Sequence, residues 1–583
     1  MEQGNQSESH ILYEVGDKPP HLLAATLGVQ TTALILAGIT LTPLIALQAA
    51  GLVEQHGDWV VFAALIVSGL TTILQSAPVA GFGAGHVLFM GTSGAFLAVS
   101  IAALKAGGLE LLGTLVAGSA LVQFAFARNM ALFRKIVTPT VGGTVVTLIA
   151  VTIMPIAYKK LSLLPEGFDG HPLAAVWTSL ISIGVMLMLT LFSSGKMRLW
   201  APLAGVIIGS LVAFGFGLTD LAAVSSASWL GLPATGWPGL DLSFGSEFFW
   251  LLPGFIIVTI IGALETFGDG IAIQEVSVRS PRPTDFKVVQ GAVNADGLGN
   301  FLSGLLGTLP NTTYSTSISV VDMTGVAARR VGIYGGATLL LLAFCPKLSA
   351  LLQSVPEPVV GAYIFILLIL LFAHGIRLVI SDGLSFDNGI VFGLAFWIGI
   401  GFQGMQIYNT EMSAGLHQLL DNGMTAGGIA AVVLSWLVSL KAARVYKKKF
   451  PLTPDSFKDV QAFVERQAID AGWVGADRNK LALVVEEAFL LLADRIGDDS
   501  SRSVTVQVQT AGALADVEFV SAPIGANVES LLEDLHPEPG AVGDDFALRL
   551  LQHMTESVRH QEFSNADFLA VTVRRDGTTE RRM

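Results

Sequence analysis

A dozen stretches of this sequence are apolar enough to be read as membrane spans, and that pattern leaves few folds open. A hydrocarbon core of about 30 Å takes roughly 20 helical residues to cross. Lipid offers backbone N–H and C=O groups no partner, so a span must be a helix or part of a closed barrel. The first stretches are His21–Ala49, Trp59–Gln75, Leu111–Phe126, Val137–Ala157, Ala174–Phe192, Trp200–Gly217 and Phe249–Val276. They are followed by Val288–Leu306, Tyr334–Leu352, Val359–Ile380, Gly389–Gly401 and Ala426–Leu440. Two more, Gly83–Ala103 and Pro310–Thr324, are apolar but broken. Together they predict an all-α polytopic membrane protein of about fourteen spans.

Composition agrees and adds a boundary. Of 583 residues, 52% are hydrophobic and 14% charged, where a soluble chain carries about 25% charge. From about Phe450 onward the long apolar runs stop and Asp, Glu and Arg become frequent. The sequence therefore divides into a polar tail at 1–20, a membrane domain at 21–445 and a soluble domain at 446–583. The net charge of −13 argues against a nucleic-acid partner. Cys345 is the single cysteine, which leaves no intrachain disulfide and no cysteine-based metal site. The first twenty residues lack the basic and apolar regions of a cleavable signal, so the first span is expected to serve as its own insertion signal.

Fourteen spans with both ends cytoplasmic put Lys18, Arg128, Arg134, Lys135, Lys196 and Arg198 inside, then Arg279, Arg282, Lys287, Arg329, Arg330 and Arg377. The last span exits inward through Lys441, Arg444 and Lys447–Lys449, leaving Lys105, Lys159, Lys160 and Lys347 outside. That bias obeys the positive-inside rule and predicts a multi-pass protein of the cell membrane with cytoplasmic termini.

The broken segments carry the functional signal. SAPVAGFGAGHVLFMGTSG (Ser76–Gly94) and GTLPNTTYSTSIS (Gly307–Ser319) crowd Gly, Pro, Ser and Thr where a lipid-facing helix holds Leu and Ile. Irregular backbone at membrane depth survives only beside protein or a water-filled cavity. As the third and tenth spans they occupy matching places in two seven-span halves, the pattern of an inverted-repeat transporter with its site between half-helices. Re-entrant packing in a channel or scaffold is the plainer alternative.

Charges at membrane depth cost at least about 2.5 kcal/mol at a helix centre. Glu265 and Asp269 lie four residues apart in the eighth span and share a helix face; Asp296 lies in the ninth. Carboxylates so close cannot all ionise freely, which suits a proton-coupled carrier. Capping a half-helix or bonding a neighbouring hydroxyl is the structural alternative for each. His86 and His374 have no partner histidines nearby, so no metal is expected.

With these residues in hand, the chain resembles the nucleobase–ascorbate transporters (nucleobase:cation symporter 2, the xanthine/uracil permeases) from about His21 to Leu440. ETFGD at Glu265–Asp269 resembles that family's eighth-span pattern, and ADGLGN at Ala295–Asn300 with SGLLGTLPNTTYS its ninth-to-tenth-span stretch. MTGVAARRVG at Met323–Gly332, VPEPVVG at Val355–Gly361 and AHGIRLV at Ala373–Val379 fit the same order. The resemblance implies a seven-plus-seven inverted repeat with short strands in spans 3 and 10. A core of spans 1–4 and 8–11 would move elevator-fashion against a gate of spans 5–7 and 12–14, within a homodimer. It implies substrate binding by Glu265, with Gly94, Ser315, Thr316 and Ser317 supplying further contacts, and ion coupling through Asp269 and Asp296. The substrate would be a nucleobase such as uracil or xanthine, or a related small heterocycle, coupled to H⁺ or Na⁺, with no cofactor. The sequence departs from the family where an acidic or amide pair is usual: Thr316 and Ser317 stand there, and Ser319 replaces a glycine.

After residue 446 the pattern predicts an α/β domain, with amphipathic helices at 454–473 and Arg478–Ile496, strands at SVTVQVQT, ADVEFVSA and DFLAVTVRR, and a helix at Asp544–Glu556. LALVVEEAFLLLADR resembles the first nucleotide helix of anti-sigma-factor-type, histidine-kinase-like ATPase domains, with Glu487-Ala488 at their Glu-Ala pair. Leu491 stands where the Mg²⁺-binding Asn belongs. SAPIGAN at Ser521–Asn527 and DDFALRLL at Asp544–Leu551 replace the glycine-rich loops that let backbone amides reach phosphate. The domain is therefore expected to be non-catalytic, a place for a cytoplasmic regulatory partner. Two other functions stay open at this stage: a transporter-like sensor signalling through this domain, and a small-anion transporter on a related fold.

Overall fold

The computed structural model describes residues 11–128, 138–165, 168–193, 196–279, 284–381, 383, 385–403, 423–439, 445–496, 503–511, 514–521, 550–551, 553–562 and 567–575. Of the sequence readings, Arg134, Lys135, Arg282, Lys441 and Arg444 lie outside these residues. So do the loop after Ser521 and the 544–549 part of the last helix. The chain divides into two compact units, one holding residues 1–280 and 288–438, the other residues 439–583 with the 281–287 segment.

The first unit is helical. Its long helices are α1 (His21–Ala50), α2 (Val53–Ser76), α3 (Leu97–Arg128), α4 (Pro139–Leu161), α5 (Ala174–Phe192), α6 (Ala201–Gly215), α7 (Ser246–Glu275) and α8 (Phe286–Leu306). After a short α9 (Thr316–Thr324) come α10 (Arg330–Ala343), α11 (Pro346–Gln353), α12 (Glu357–Ser381), α13 (Phe386–Phe402) and α14 (Gly423–Ser439). Among the described residues, seven helices are long and apolar enough to cross a membrane, and α10 with α11 would make an eighth. The stretch Tyr334–Leu352, read as one span, is bent by 80° between α10 and α11. Pro346 explains the break: it lacks an N–H, cannot continue α10, and opens α11 at the first helical turn. In α3 the break falls at Gly107 and Gly108, the latter at φ 71° and ψ −161°, a conformation open to glycine.

Lipid provides no hydrophobic drive between helices, so close approach of small residues holds them together. A Cβ on Gly28 of α1 would sit 2.7 Å from the backbone nitrogen of Gly335 on α10. Gly69 of α2 meets Gly336 O, Gly113 of α3 meets Gly304 O on α8, and Gly143 of α4 meets Gly375 O on α12, all within 2.8 Å on the same test.

Two three-residue strands interrupt the helices. β1 (Met90–Thr92) pairs antiparallel with β2 (Asn311–Thr313), in the register Met90–Thr313, Gly91–Thr312 and Thr92–Asn311. Every one of these six residues is buried. A short 3₁₀ turn, Gly94–Phe96, leads from β1 into α3, and Ser315 leads from β2 into α9. Each strand thus runs straight into the N-terminus of a helix.

The second unit carries a five-stranded antiparallel sheet in the order β3-β4-β5-β7-β6. Its strands are β3 (Tyr446–Pro451), β4 (Ser503–Ala511), β5 (Leu514–Ser521), β6 (Ser557–Glu562) and β7 (Asp567–Arg574). The residues of alternate strand positions, among them Val504, Val506, Val508, Val517, Phe519 and Val571, form one core with α15 (Phe457–Asp470) and α16 (Ala476–Ile496). The other face of β4 holds Thr505, Gln507 and Gln509, so one face is covered by helices and one is polar.

Candidate functional site

A cavity of about 290 Å³ lies where β1, β2, α1, α7 and α12 converge. Gly94, Glu265, Ser315 and Thr316 all line it, so these residues, far apart in the chain, meet at one cavity. Because β1 and β2 feed directly into helices, two helix N-termini, at Gly94–Phe96 and at Thr316, border the same space. Both present the positive ends of their dipoles to it. A larger cavity, about 870 Å³, lies among Gln48, Asp58, Asp220 and Glu357, and none of the expected site residues line it.

Glu265 is the exposed carboxyl group of the cavity, without a hydrogen-bond partner among the described residues. One helical turn on, Asp269 is 7% exposed and fully engaged. Thr313 Oγ1 donates to its Oδ2 at 2.6 Å and Ser315 Oγ to its Oδ1 at 2.8 Å. Asp296, on α8, is 0% exposed and sits behind the cavity. Its Oδ2 accepts from Gln123 Nε2 at 2.6 Å and lies 3.1 Å from Thr266 Oγ1, while its Oδ1 has no partner. The three carboxylates therefore hold different stations: one open to a ligand, one bonded to the cavity wall, one sealed behind it.

Ser317 does not line this cavity. It is fully buried, and its hydroxyl accepts from the Phe89 backbone N–H at 3.0 Å and donates to Tyr314 O. Its geometry is that of a clasp between the two broken segments, joined by Tyr314 N–H to Phe89 O at 2.8 Å and Ser93 N–H to Pro310 O at 2.9 Å.

The sequence reading had no means of selecting several other residues found here. Tyr314 and Tyr363 line the cavity, and Tyr314 OH donates to Thr92 O at 2.8 Å. The Tyr314 ring fits because Gly91 and Gly38 stand against it: a Cβ on either would come within 2.8 Å of its atoms. A matched pair of glycines facing one tyrosine is visible in sequence only once the strands are known to pair. Among the described residues, no cluster of His, Cys, Asp and Glu could hold a metal ion.

The model of the xanthine/uracil permeases, described as "Permease family", matches residues 23–409. The chain belongs to the xanthine/uracil permease family. The putative purine permease CPE0397 of Clostridium perfringens is 27% identical to this permease over 447 residues, covering 75% of the chain and 95% of that protein. The xanthine permease XanP of Escherichia coli is 29% identical over 457 residues, covering 73% and 94%. Members of this family are transporters and not enzymes, and the permease is a multi-pass membrane protein. Among solved structures, the murine Solute Carrier 26 family member A9 anion transporter in the inward-facing state is similar at a TM-score of 0.51. That likeness has 13% identity, covers 75% of this chain and 71% of that one, and bears on the fold alone.

Proposed function

We propose that this permease is a secondary active transporter for a nucleobase such as xanthine or uracil, or a related small heterocycle, coupled to H⁺ or Na⁺. The observation that carries this reading is Glu265: an unpartnered carboxylate in a cavity between two helix N-termini. A carboxylate there accepts ring N–H groups, while the helix ends and the hydroxyls of Ser315 and Thr316 can serve carbonyl oxygens of the same ring. The volume lies near the low end of ligand pockets, about 300 Å³, which suits a small flat molecule.

The finer architecture belongs to the same proposal. The strand-led segments at β1 and β2 would be the third and tenth of fourteen spans in two inverted halves of seven. Spans 1–4 and 8–11 would form a moving core and spans 5–7 and 12–14 a gate, in a homodimer with both termini cytoplasmic. Residues 446–583 would be a non-catalytic, histidine-kinase-like module for a cytoplasmic partner. Leu491, at the position of the Mg²⁺-binding Asn, is instead partly buried against that module's core.

The test is binding of xanthine, uracil and small organic anions to purified protein, in the wild type and in Glu265→Gln, alongside uptake into proteoliposomes. A nucleobase that binds the wild type and is lost by at least about tenfold in the variant supports the proposal. Unchanged affinity in Glu265→Gln overturns the role of Glu265. Binding without flux favours a sensor, and an anion bound in place of every nucleobase favours an anion carrier.

A further inference from the structure

Behind the cavity wall runs a row of hydrogen bonds whose hydrogens can be counted atom by atom. The count starts from a group with no freedom. The backbone N–H of Asn311 must donate, and does so to Asn300 Oδ1 at 2.7 Å. That fixes the other end of Asn300, whose Nδ2 donates to Gln123 Oε1 at 2.8 Å. Gln123 is fixed in turn, so its Nε2 donates to Asp296 Oδ2 at 2.6 Å. From that oxygen the row continues to Thr266 Oγ1 at 3.1 Å, then to Thr313 Oγ1 at 3.2 Å, then to Asp269 Oδ2 at 2.6 Å.

Three oxygen–oxygen contacts thus link Asp296 to Asp269, and each needs a hydrogen. The two threonines supply two. With both carboxylates ionised, one contact is left as bare oxygen against oxygen. With both protonated, one hydrogen has no place in the row. A single added proton fills all three contacts. The row is also buried: Asp296 and Thr266 are 0% exposed, Thr313, where the row meets the cavity lining, is 1% and Asp269 is 7%. In such surroundings an unfilled contact is costly. The ionisable groups facing the row are Glu265, one turn from Asp269 on α7, and the phenols of Tyr314, just after β2, and Tyr363 on α12. Among the described residues, no Lys, Arg or His pairs with Glu265, Asp269 or Asp296.

We propose that Thr266 and Thr313 form a hydroxyl relay sharing one proton between Asp296 and Asp269, and that this proton is the coupling ion of transport. The proposal rests on the transporter reading above and deepens it. The transfer conserves atoms. The Asp296 Oδ2–H bond breaks as its proton passes to Thr266 Oγ1, the Thr266 proton passes to Thr313, and the Thr313 proton passes to Asp269 Oδ2. Negative charge moves the other way, from Asp269 to Asp296. At rest the proton belongs on Asp296, because the unpartnered Oδ1 is then a neutral carbonyl oxygen. Asp269 holds the charge, supported by Thr313 and Ser315. Ser315 also lines the cavity. A substrate that draws its hydroxyl away removes a donor from Asp269 and pulls the proton toward the cavity side. Binding and protonation are thereby linked through one hydroxyl.

Thr266→Val and Thr313→Val keep the side-chain shape and remove the relay oxygens, and Thr313→Ser restores one. In proteoliposomes holding a pH-sensitive dye, with xanthine as the probe, each Val variant should lose proton movement and uphill accumulation by about tenfold or more. In Thr266→Val, which lies off the cavity lining, xanthine binding and exchange should stay within about threefold of wild type, and Thr313→Ser should recover coupling. Wild-type proton movement per xanthine in both Val variants would overturn the relay. So would xanthine accumulation driven by Na⁺ with no dye response. An infrared arm needs no substrate: the protein at neutral pH should show a protonated-carboxyl band that is lost in Asp296→Asn and shifted in Thr266→Val. No band, or a band indifferent to both changes, would overturn the relay. Absence of xanthine and uracil binding in the wild type would count against the substrate reading alone.

Discussion

Gly91 and Gly94 sit three residues apart at the end of the first broken segment, yet they face different neighbours. A Cβ on Gly91 would lie 2.7 Å from Tyr314 Cζ and 2.8 Å from Ile39 Cγ1, whereas one on Gly94 would meet Leu367 at 3.5 Å, an ordinary contact. Gly91→Ala should therefore displace the Tyr314 ring, break its bond to Thr92 and disturb the adjoining Thr313 and Ser315. The expected cost is about 1–3 kcal/mol of stability with loss of ligand binding. Gly94→Ala should leave the melting temperature unchanged and lower affinity only by narrowing the cavity; ligand titration and thermal unfolding of both variants separate the two. In the soluble unit, burial first and Glu486 second push the Glu487 carboxyl above its ordinary range. The folded state thus prefers it protonated, so its penalty is present at neutral pH and is relieved as pH falls through the raised value. Glu487→Gln should modestly slow hydrogen exchange in α16 at neutral pH and have no effect at acidic pH. At this scale the charged residues were legible and the uncharged ones were not. Glu265, Asp269 and Asp296 stand out because a carboxylate among apolar residues is costly. Thr266, Thr313 and Gln123 do not, because a polar uncharged residue in a membrane helix is unremarkable until its partner on another element is known.

The two broken elements depend on each other. Neither three-residue strand has another strand partner, and their N–H groups are satisfied by each other and by side-chain oxygens, Met90 N–H by Thr72 and Asn311 N–H by Asn300, with the flanking Phe89 N–H on Ser317. Ser317→Ala should thus leave a buried N–H without an acceptor and cost about 1–3 kcal/mol, visible as a lower unfolding temperature. The adjacent Thr316→Ala should do the reverse, changing ligand affinity with little change in stability, because Thr316 lines the cavity. Equal effects of both substitutions on either measurement would contradict this division. The elements themselves were legible from Gly, Pro, Ser and Thr crowded at membrane depth. Their register was not, since it is set by which backbone groups remain unpaired once the surrounding helices have packed. The bend between α10 and α11 was signalled by Pro346 but hidden by the apolar run around it.

For the molecule as a whole, the boundary between the units decides where the chain can be cut. Composition alone shifts near Phe450, but β3 begins at Tyr446 and pairs along its length with β4, from Tyr446–Val508 to Pro451–Ser503. A cut after Lys449 would leave most of an unpaired strand on the membrane unit, an exposed edge that invites aggregation. A chain ending at Val445 avoids it. None of the residues lining the 290 Å³ cavity lies beyond Leu371, so that shortened chain should bind and transport at close to the wild-type rate. The relatives point the same way, since each alignment leaves about a quarter of this chain outside it. The full-length protein should also give no ATP binding by calorimetry, because Leu491 offers no amide oxygen for Mg²⁺ and is packed against the core. Transport that fails in the shortened chain while ligand binding persists would mean that the soluble unit acts on the transport cycle itself and not on the site. ATP binding at micromolar affinity would contradict the non-catalytic reading of residues 446–583. The two measurements are independent, so a shortened chain with normal transport and a full chain without ATP binding would together show that residues 446–583 are dispensable for transport and do not act through ATP.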